Sequence, residues 1–561
     1  MASSSANEPS AAAAAGAASR GAPPGRSEWV EAVLVGCLGV VQVVQLQRAR
    51  LPAEAALVAA VVLRLASPLA SPPLSPPSPP PDSPHRPRLS PRAFPRAGAS
   101  AGWSLAASPL LLAVGALLSH TSLASPLASA LAPPLPLTVY VWAFGAALLL
   151  AAARRPLAHA PPCFALAAAR LGPRAALAAA AIAAAHAALA ALALGGARRS
   201  FTAGEASTIG GALALVCAES LRLAACGAAE LPPLCAARSL GGVATHAVLG
   251  AGVLVTAATA AMALPPRADA FSRGLRFYST AVACVGGLLY PWIRSLLGED
   301  PLVWAAGFIF RPDRLFLCGC WCAAIVLVAA AAAALSPSAD QPDGVARKAR
   351  LLLARKLYHF LALGCFVPAV ATQAEFLQLA FAAALSLFAL LEVVRLAQVP
   401  PLHAPLGRFL ARFVDARDSG TLVLTHFYLL LGCALPILLE PALAPIPASG
   451  GSLPRRVAPY AGLCVLGMGD AVASIVGVHL GRHTWPGTGK TVEGSVAAVL
   501  SVLLLLLAID MAQAHHASAL EWAAVAGCTT LTFILEAFTT QIDNLYLPIF
   551  FAATLLTSST F

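Results

Sequence analysis

Charge is what this chain lacks most. Only 11% of its 561 residues are Asp, Glu, Lys or Arg, against roughly 25% in a soluble domain. That density cannot cover the surface of a water-soluble fold of this length. The chain also lacks a basic helix or an aromatic platform: its net charge of +11 is scattered over short loops, which excludes nucleic acid as a partner. No cysteine framework is present, because nearly all of the 13 cysteines fall inside apolar runs, where Cys packs as a small hydrophobe. Even Cys318, Cys320 and Cys322 sit in an apolar run with no His or acid nearby, so they are not read as a metal site. The first residues show no compact apolar segment of the secretory kind, and the last five, TSSTF, form no retrieval signal. No internal repeat is visible, which argues against a transporter built from inverted repeats.

What the chain has is apolar length. It is 59% hydrophobic, with mean hydropathy +0.78. Runs of about 20 apolar residues, enough to span a bilayer as helices, recur throughout. They predict an all-α, polytopic transmembrane helical bundle of about 14–16 spans, near 29–46, 51–66, 103–119, 135–153, 174–196, 207–225, 239–264, 277–293, 315–335, 351–371, 376–395, 421–440, 460–480, 495–512, 521–538 and 545–561. Three parts are expected: a disordered tail over 1–28, a membrane scaffold over 29–340 carrying a Pro/Ser-rich loop at 67–96, and a catalytic membrane domain over 341–561. Before residue 340 few ionisable residues stand out; after it, polar residues cluster at helix ends.

Positive loops face the cytosol. Arg347, Lys348, Arg350, Arg355 and Lys356 therefore place the segment before 351–371 on that side. Counting crossings from there brings the loop with Arg395, Arg408, Arg412 and Arg417, the loop 481–493 and the segment 539–544 to the same face. Arg455 and Arg456 alone fall on the opposite side.

Five polar motifs populate that face. In the first, Arg355 and Lys356 precede His359 by four and three residues, so all three share one side of a helix and suit phosphate oxygens, or anchor the helix at the headgroups. In the second, Glu392 and Arg395 form an i, i+3 pair, and Asp415–Gly420 mixes acids, Arg417, Asp418 and Ser419 before a helix. That cluster reads as a phosphate-binding Arg beside a metal-binding carboxylate, or as a helix cap. The third places Asp470 inside an apolar span, where a carboxylate must face a cavity or a cation. Gly469, Ala473, Gly477 and Gly481 form a stripe of small residues on that span, with Ser474 beside it. Either the Gly467/Gly469 region breaks the helix or a water-filled funnel reaches Asp470; the funnel is the expectation.

The fourth motif, Trp485-Pro-Gly487-Thr488-Gly489-Lys490-Thr491-Val-Glu493-Gly494, is a Gly-rich loop ending in Lys-Thr at a helix start. Its backbone N–H groups, helix dipole and ammonium suit phosphates. It is not a Walker A loop, since position 484 is Thr and no strand precedes it. Glu493 is a candidate for Mg²⁺ binding or proton transfer. The fifth comprises Glu536, Thr540 and Asp543, spaced i, i+4, i+7 along one expected helical face; these serve either a site or as polar glue between helices.

RKLYHF (355–360), LEVVR (391–395), DARDSG (415–420), LTHFYLLLGCALPI (424–437), GDAVASIVG (469–477), WPGTGKTVEG (485–494) and LEAFTTQIDNLYLPI (535–549) resemble the dolichol kinases, in order, over 345–561. Before 345 the chain is similar to them only in its many apolar spans. The resemblance implies a multi-pass enzyme of the endoplasmic reticulum membrane with its site facing the cytosol. Such an enzyme transfers the γ-phosphate of CTP to dolichol, giving CDP and dolichyl phosphate, the lipid carrier for N-glycosylation and other luminal glycosylation. For that reaction the residues themselves suggest Asp470, with Asp418 or Asp543 as further candidates, to hold Mg²⁺ or another divalent cation. Gly469, Ser474, Gly477, Gly487, Thr488, Lys490, Thr491, Arg417 and Lys356 would hold the nucleotide, and Glu493, His359 or Asp470 would accept the alcohol proton. The family pattern carries a second basic residue where this chain has Gly489, which removes one cationic contact and leaves Lys490. Rival readings are a cytidylyltransferase that makes a CDP-lipid, and a transporter or flippase. Oligomerisation is left open.

Overall fold

The structure is a computed structural model. It describes residues 26–66, 135–152, 156–197, 200–226, 239–264, 269–335, 345–410, 421–439, 451–513, 516–539 and 541–559, with isolated positions between 107 and 117. The expected tail over 1–28, apart from its last three residues, and the loop 67–96 lie outside these residues, as does most of the expected span 103–119.

The described residues are helical with no strands, as the hydropathy pattern requires. In chain order the helices are α1 Arg26–Arg48, α2 Pro52–Ala66, α3 Leu135–Ala152, α4 Pro156–Leu171, α5 Pro173–Gly196, α6 Ala203–Cys226, α7 Leu240–Ala263, α8 Ala270–Leu297 and α9 Pro301–Ile309. There follow α10 Pro312–Leu335, α11 Val345–Leu396, α12 His403–Leu410, α13 Thr425–Leu439, α14 Leu463–Leu480, α15 Val492–Ala512, α16 Ala519–Phe538 and α17 Asp543–Ser558. Among the described residues ten helices are long and apolar enough to cross a membrane, and shorter apolar helices accompany them. The chain is a polytopic α-helical membrane protein. Leu302, Phe316, Phe271 and Val282 are more than two-thirds exposed, the mark of a surface solvated by lipid.

Helix ends are fixed by local chemistry. Ser239, Asp269, Asp300, Thr491 and Ser518 each accept a backbone N–H from the first turn of the helix that follows them. Ser518 and Glu521 complete a reciprocal capping box. At the other end of α8, Gly298 adopts φ +75°, the left-handed conformation that stops a helix.

α11 supplies two crossings. Its apolar part, Lys356–Leu396, would extend about 60 Å if straight, twice the thickness of the hydrocarbon core. Gln373 is non-helical (φ −142°, ψ 48°) and divides it. The limbs fold back on each other: the rings of Phe366 and Phe381 lie 5.0 Å apart, and Trp321 touches both Phe366 and Phe376. The two expected spans 351–371 and 376–395 are these limbs.

The core is built around α17. A helix apolar on every side must be enclosed, and every residue from Leu545 to Thr557 is buried. Close approach around it depends on two glycines. A Cβ on Gly432 would stand 1.9 Å from the carbonyl oxygen of Asn544, and one on Gly462 would stand 2.2 Å from that of Gly432. Three backbones meet there because no side chain intervenes.

Arg455 and Arg456, which oppose the loop-charge topology, are not loop charges. Both are buried, at 5% and 9% exposure. Arg456 donates to the Gly451 carbonyl (2.7 Å) and pairs with the buried Asp510 carboxylate of α15. Burial pushes Arg455 down to about 10, still protonated at neutral pH. Replacing Asp510 by Ala leaves Arg456 buried without its counter-charge and is expected to cost about 3–5 kcal/mol. The check is the fraction of protein that stays monodisperse in detergent after heating, and the double replacement Arg456→Met with Asp510→Leu should recover most of the loss.

Candidate functional site

The site is built from α11, α14, the loop before α15, and the end of α16. Its central member is Asp470. The helix carrying it is not broken at Gly467 or Gly469. It is widened into a π-helical stretch over Leu463–Gly469, and regular α-helix resumes at Asp470. Such insertions re-aim side chains and recur at functional sites. The Asp470 side chain is 26% exposed, so the carboxylate is reachable from outside the bundle.

The first limb of α11 brings cations to it. Lys356 Nζ donates to Asp470 Oδ2 at 2.6 Å, and His359 Nε2 lies 3.3 Å from the same oxygen. The spacing of Lys356 and His359 by three residues puts both on the face turned to α14, as the motif predicts. Ser474, one turn after Asp470, lies 3.4 Å from Oδ1. Four expected site residues thus share one cluster.

The stripe of small residues has two neighbours. A Cβ on Gly469 would overlap the ring of Phe533 from α16, at 2.1 Å. At the other end of α14, a Cβ on Gly477 would stand 2.9 Å from Thr491 Oγ1, and one on Gly494 would stand 2.8 Å from the Ala473 carbonyl. Helices α14 and α15 therefore cross nearly backbone to backbone, and this brings the Gly-rich loop back towards Asp470.

That loop is a hairpin-like turn. Thr488 N–H donates to the Trp485 carbonyl (3.1 Å), with Pro486 and Gly487 between them and Gly487 at φ +79°. Pro followed by a left-handed Gly is the signature of a type II turn. Thr484 and Thr491 pair across its base, and Trp485 N–H donates to the Lys490 carbonyl (2.9 Å). Trp485 pins the loop from the side: its Nε1 donates to Ser495 Oγ (3.0 Å) and its ring packs on Phe538 at 5.5 Å. Thr491 caps α15 through the N–H of Gly494 at 3.2 Å.

Held this way, Lys490 points at the end of α16. Its Nζ donates to the Glu536 carbonyl oxygen at 2.6 Å and pairs with the Glu536 carboxylate. Glu536, only 7% exposed, lies within electrostatic reach of Asp470 and Asp543 as well as Lys490. Glu493 turns elsewhere: its carboxylate accepts from His483, at 3.1 Å from the backbone N–H and 2.6 Å from Nδ1. Asp543 accepts the N–H of Asn544 at 3.0 Å.

Glu536, Thr540 and Asp543 do not share one helical face. Thr539 is extended (ψ 137°) and ends α16; Ile542 is extended (ψ 106°) and starts α17. Glu536 and Asp543 therefore stand on different helices, brought together by the break between them. Thr540, Arg417 and Asp418 lie outside the described residues. Glu392 and Arg395 are paired (2.6 Å), and both also hold the irregular segment before α13, through the Val423 N–H and the Thr421 carbonyl.

Glu536 belongs to the site, where the sequence reading left its motif open between a site and polar glue. An acid inside an apolar run was the available signal. The same signal marks buried acids in the N-terminal half, which the composition-level reading passed over. Glu54 accepts from Trp142 Nε1 (3.2 Å) and Arg170 Nε (3.0 Å), and Glu31 accepts from Thr539 Oγ1 (3.4 Å) beside the site.

A protein-family model, Dolichol kinase, matches residues 189–439. It begins far ahead of the first motif, at Arg355, so the similarity is not confined to the C-terminal part; it ends ahead of Gly469. Human dolichol kinase is 36% identical over 270 residues, 47% of this chain and 49% of that protein. The Arabidopsis thaliana protein named Dolichol kinase EVAN is 38% identical over 258 residues, 45% of this chain and 42% of its own. Dolichol kinase of Saccharomyces cerevisiae is 30% identical over 261 residues, 45% of this chain and 44% of that protein. The chain spans about half the length of the curated relatives it matches. No solved structure matches.

Replacing Gly469 by Ala drives a methyl group into the buried Phe533 ring. The expected cost is about 1–3 kcal/mol, read as a lower thermal midpoint of the purified protein. A second replacement, Phe533→Leu, makes room and should restore most of it.

Proposed function

We propose that this chain is a dolichol kinase that transfers the γ-phosphate of CTP to dolichol, releasing CDP. The observation that carries the reading is the convergence of Asp470, Lys356 and His359 with the Lys490–Glu536 pair at the end of a phosphate-type loop. Phosphoryl transfer asks a protein for positioning and charge neutralisation more than for covalent chemistry. Two lysines from opposite sides, each already held by a carboxylate, supply both. When a triphosphate enters, its oxygens replace Glu536 as the partner of Lys490. His359, oriented by the Asp470 carboxylate, is the acceptor best placed for the proton of an alcohol that enters from the membrane.

A divalent cation is part of the proposal. Among the described residues no three His, Cys, Asp or Glu side chains form a metal-holding group by themselves. Mg²⁺ is commonly bound through one or two carboxylates plus substrate phosphates and water. Asp470, Glu536 and Asp543 provide three carboxylates against two ammonium groups, and Asp418 remains a candidate from outside the described residues. When bound, the ion would neutralise charge on the phosphates being transferred. Placement in the endoplasmic reticulum membrane, a cytosol-facing site and a role in supplying the glycosylation carrier complete the proposal. They rest on the resemblance and on the positive-inside argument.

The test uses purified protein with dolichol, Mg²⁺ and γ-labelled CTP, with γ-labelled ATP in parallel. Label in a lipid phosphate from CTP is the expected result. Cytidine in the lipid without γ-label would instead indicate a cytidylyltransferase, and no transfer by folded protein would reopen transport. The variants Asp470→Ala and Lys356→Met should each lower turnover by about 100-fold or more while eluting like the unsubstituted protein. Wild-type turnover in Asp470→Ala would sink the assignment.

A further inference from the structure

Two stretches of non-helical backbone border the site. One is 421–424, before α13; the other is the break between α16 and α17 that contains Thr539, Gln541 and Ile542. Backbone outside a helix has no ladder to set it, and its polar groups must find partners elsewhere. One tripeptide of the N-terminal half, Ser200-Phe201-Thr202, supplies partners to both.

All three of its residues are buried. Phe201 belongs to the main apolar core, so the hydroxyls on either side of it are held in place. Thr202 and Glu205 start α6 as a reciprocal cap. Thr202 Oγ1 accepts the Glu205 N–H (3.1 Å), and the Thr202 N–H donates to Glu205 Oε2 (3.0 Å). The hydroxyl proton of Thr202 goes to Oε1 of the buried Gln541 (3.5 Å), whose own N–H donates to Thr539 Oγ1 (3.1 Å). Thr202 thereby reaches the break that sets Glu536 relative to Asp543.

Ser200 reaches the other stretch. Its Oγ accepts the Leu422 N–H (3.1 Å) and lies 3.3 Å from Thr421 Oγ1. The neighbouring backbone groups are taken by α11: the Thr421 carbonyl accepts from Arg395, and the Val423 N–H donates to Glu392. In the chain this stretch directly follows Arg417-Asp418-Ser419-Gly420. Lys356, His359 and Asp470, by contrast, stand within α11 and α14, whose helical ladders position them.

We propose that Ser200 and Thr202 are positioning residues for the nucleotide side of the site. Thr202 sets the break between Glu536, the partner of Lys490, and Asp543. Ser200 sets the segment that follows Arg417. The kinetic consequence rests on the phosphoryl-transfer reading; the hydrogen bonds do not. Loss of either hydroxyl weakens CTP binding and slows transfer, and leaves the side that receives the alcohol as it was.

The test measures γ-phosphate transfer by the full-length protein with CTP and dolichol varied separately. Thr202→Val removes one hydroxyl and keeps the side chain's shape; Ser200→Ala removes the other. Each is expected to raise KM for CTP and lower kcat, so that kcat/KM for CTP falls by about tenfold or more, with KM for dolichol unchanged. Thr202→Ser keeps the hydroxyl and should restore both. Thr245→Val removes an equally buried hydroxyl, one bonded to the Gly241 carbonyl of its own helix, and should change neither. Unchanged KM for CTP would overturn the proposal, because a packing role lowers folded yield and thermal midpoint without altering the sites that remain. A matching rise in KM for dolichol would overturn it too.

Hydrogen exchange on the same variants needs no turnover. Faster exchange centred on Leu422 in Ser200→Ala, and on 541–543 in Thr202→Val, is expected; unchanged or uniformly faster exchange would overturn the proposal. If the unsubstituted protein transfers nothing, the phosphoryl-transfer reading fails and exchange alone decides. If Thr202→Val does not fold, Ser200→Ala decides by both measures.

Discussion

A carboxylate placed among apolar helices is the constraint around which the C-terminal bundle is arranged. Asp470 cannot remain charged in hydrocarbon without a partner. Its partners come from a helix more than a hundred residues earlier, through Lys356 at 2.6 Å and His359 at 3.3 Å. To bring them there, α11 must pack closely against α14, and the π-helical turn at Leu463–Gly469 sets the carboxylate's direction. To bring the loop there as well, α14 must cross α15 at the distance only glycine permits, at Gly477 and Gly494. Chemistry and packing are therefore not separable in this region. The residues without side chains set where the charged ones meet.

The second ion pair has a different character. Lys490 and Glu536 are joined through a loop, not through two packed helices. A pair held by a turn can exchange partners at lower cost than one locked between helices, since only the lysine side chain must move. The pair also screens two carboxylates from each other, because Glu536 stands within electrostatic reach of both Asp470 and Asp543.

Much of this was legible from residue patterns. The helical class followed from hydropathy, the pairing of Lys356 and His359 on one face from their spacing, and the close-packed stripe from residue size. The two limbs of α11 followed from length alone. What was not legible depended on the ends of helices. The pattern Glu536, Thr540, Asp543 matches a helical face perfectly, yet the chain extends at Thr539 and Ile542, and no Gly or Pro marks that break. Arg455 and Arg456 count as loop charges in any topology rule, and only their burial, with Asp510 as the partner of Arg456, shows that they are internal. Glu493 matched the expected chemistry by type, but His483 claims it, because the base of the loop brings residues 483 and 492 together.

The N-terminal half changes the view of the whole chain. Ala/Leu-rich helices read as a passive shell, but a passive shell needs no buried acids, and Glu31, Glu54, Glu205 and Glu219 are all buried there. Two polar contacts, one of them to Glu31, tie the halves together at the site's rim. Glu31 accepts from Thr539, directly after α16, and Thr202 donates to Gln541, between α16 and α17. The break that separates Glu536 from Asp543 is thus held from outside by residues of the first half. A polar contact in a low-dielectric interior is costly to leave unmade, so these contacts add to the burial of Ile542 in holding that segment. The reach of the family match back to residue 189 is consistent with this: the part of the chain that carries no phosphate-type motif still shapes the one that does.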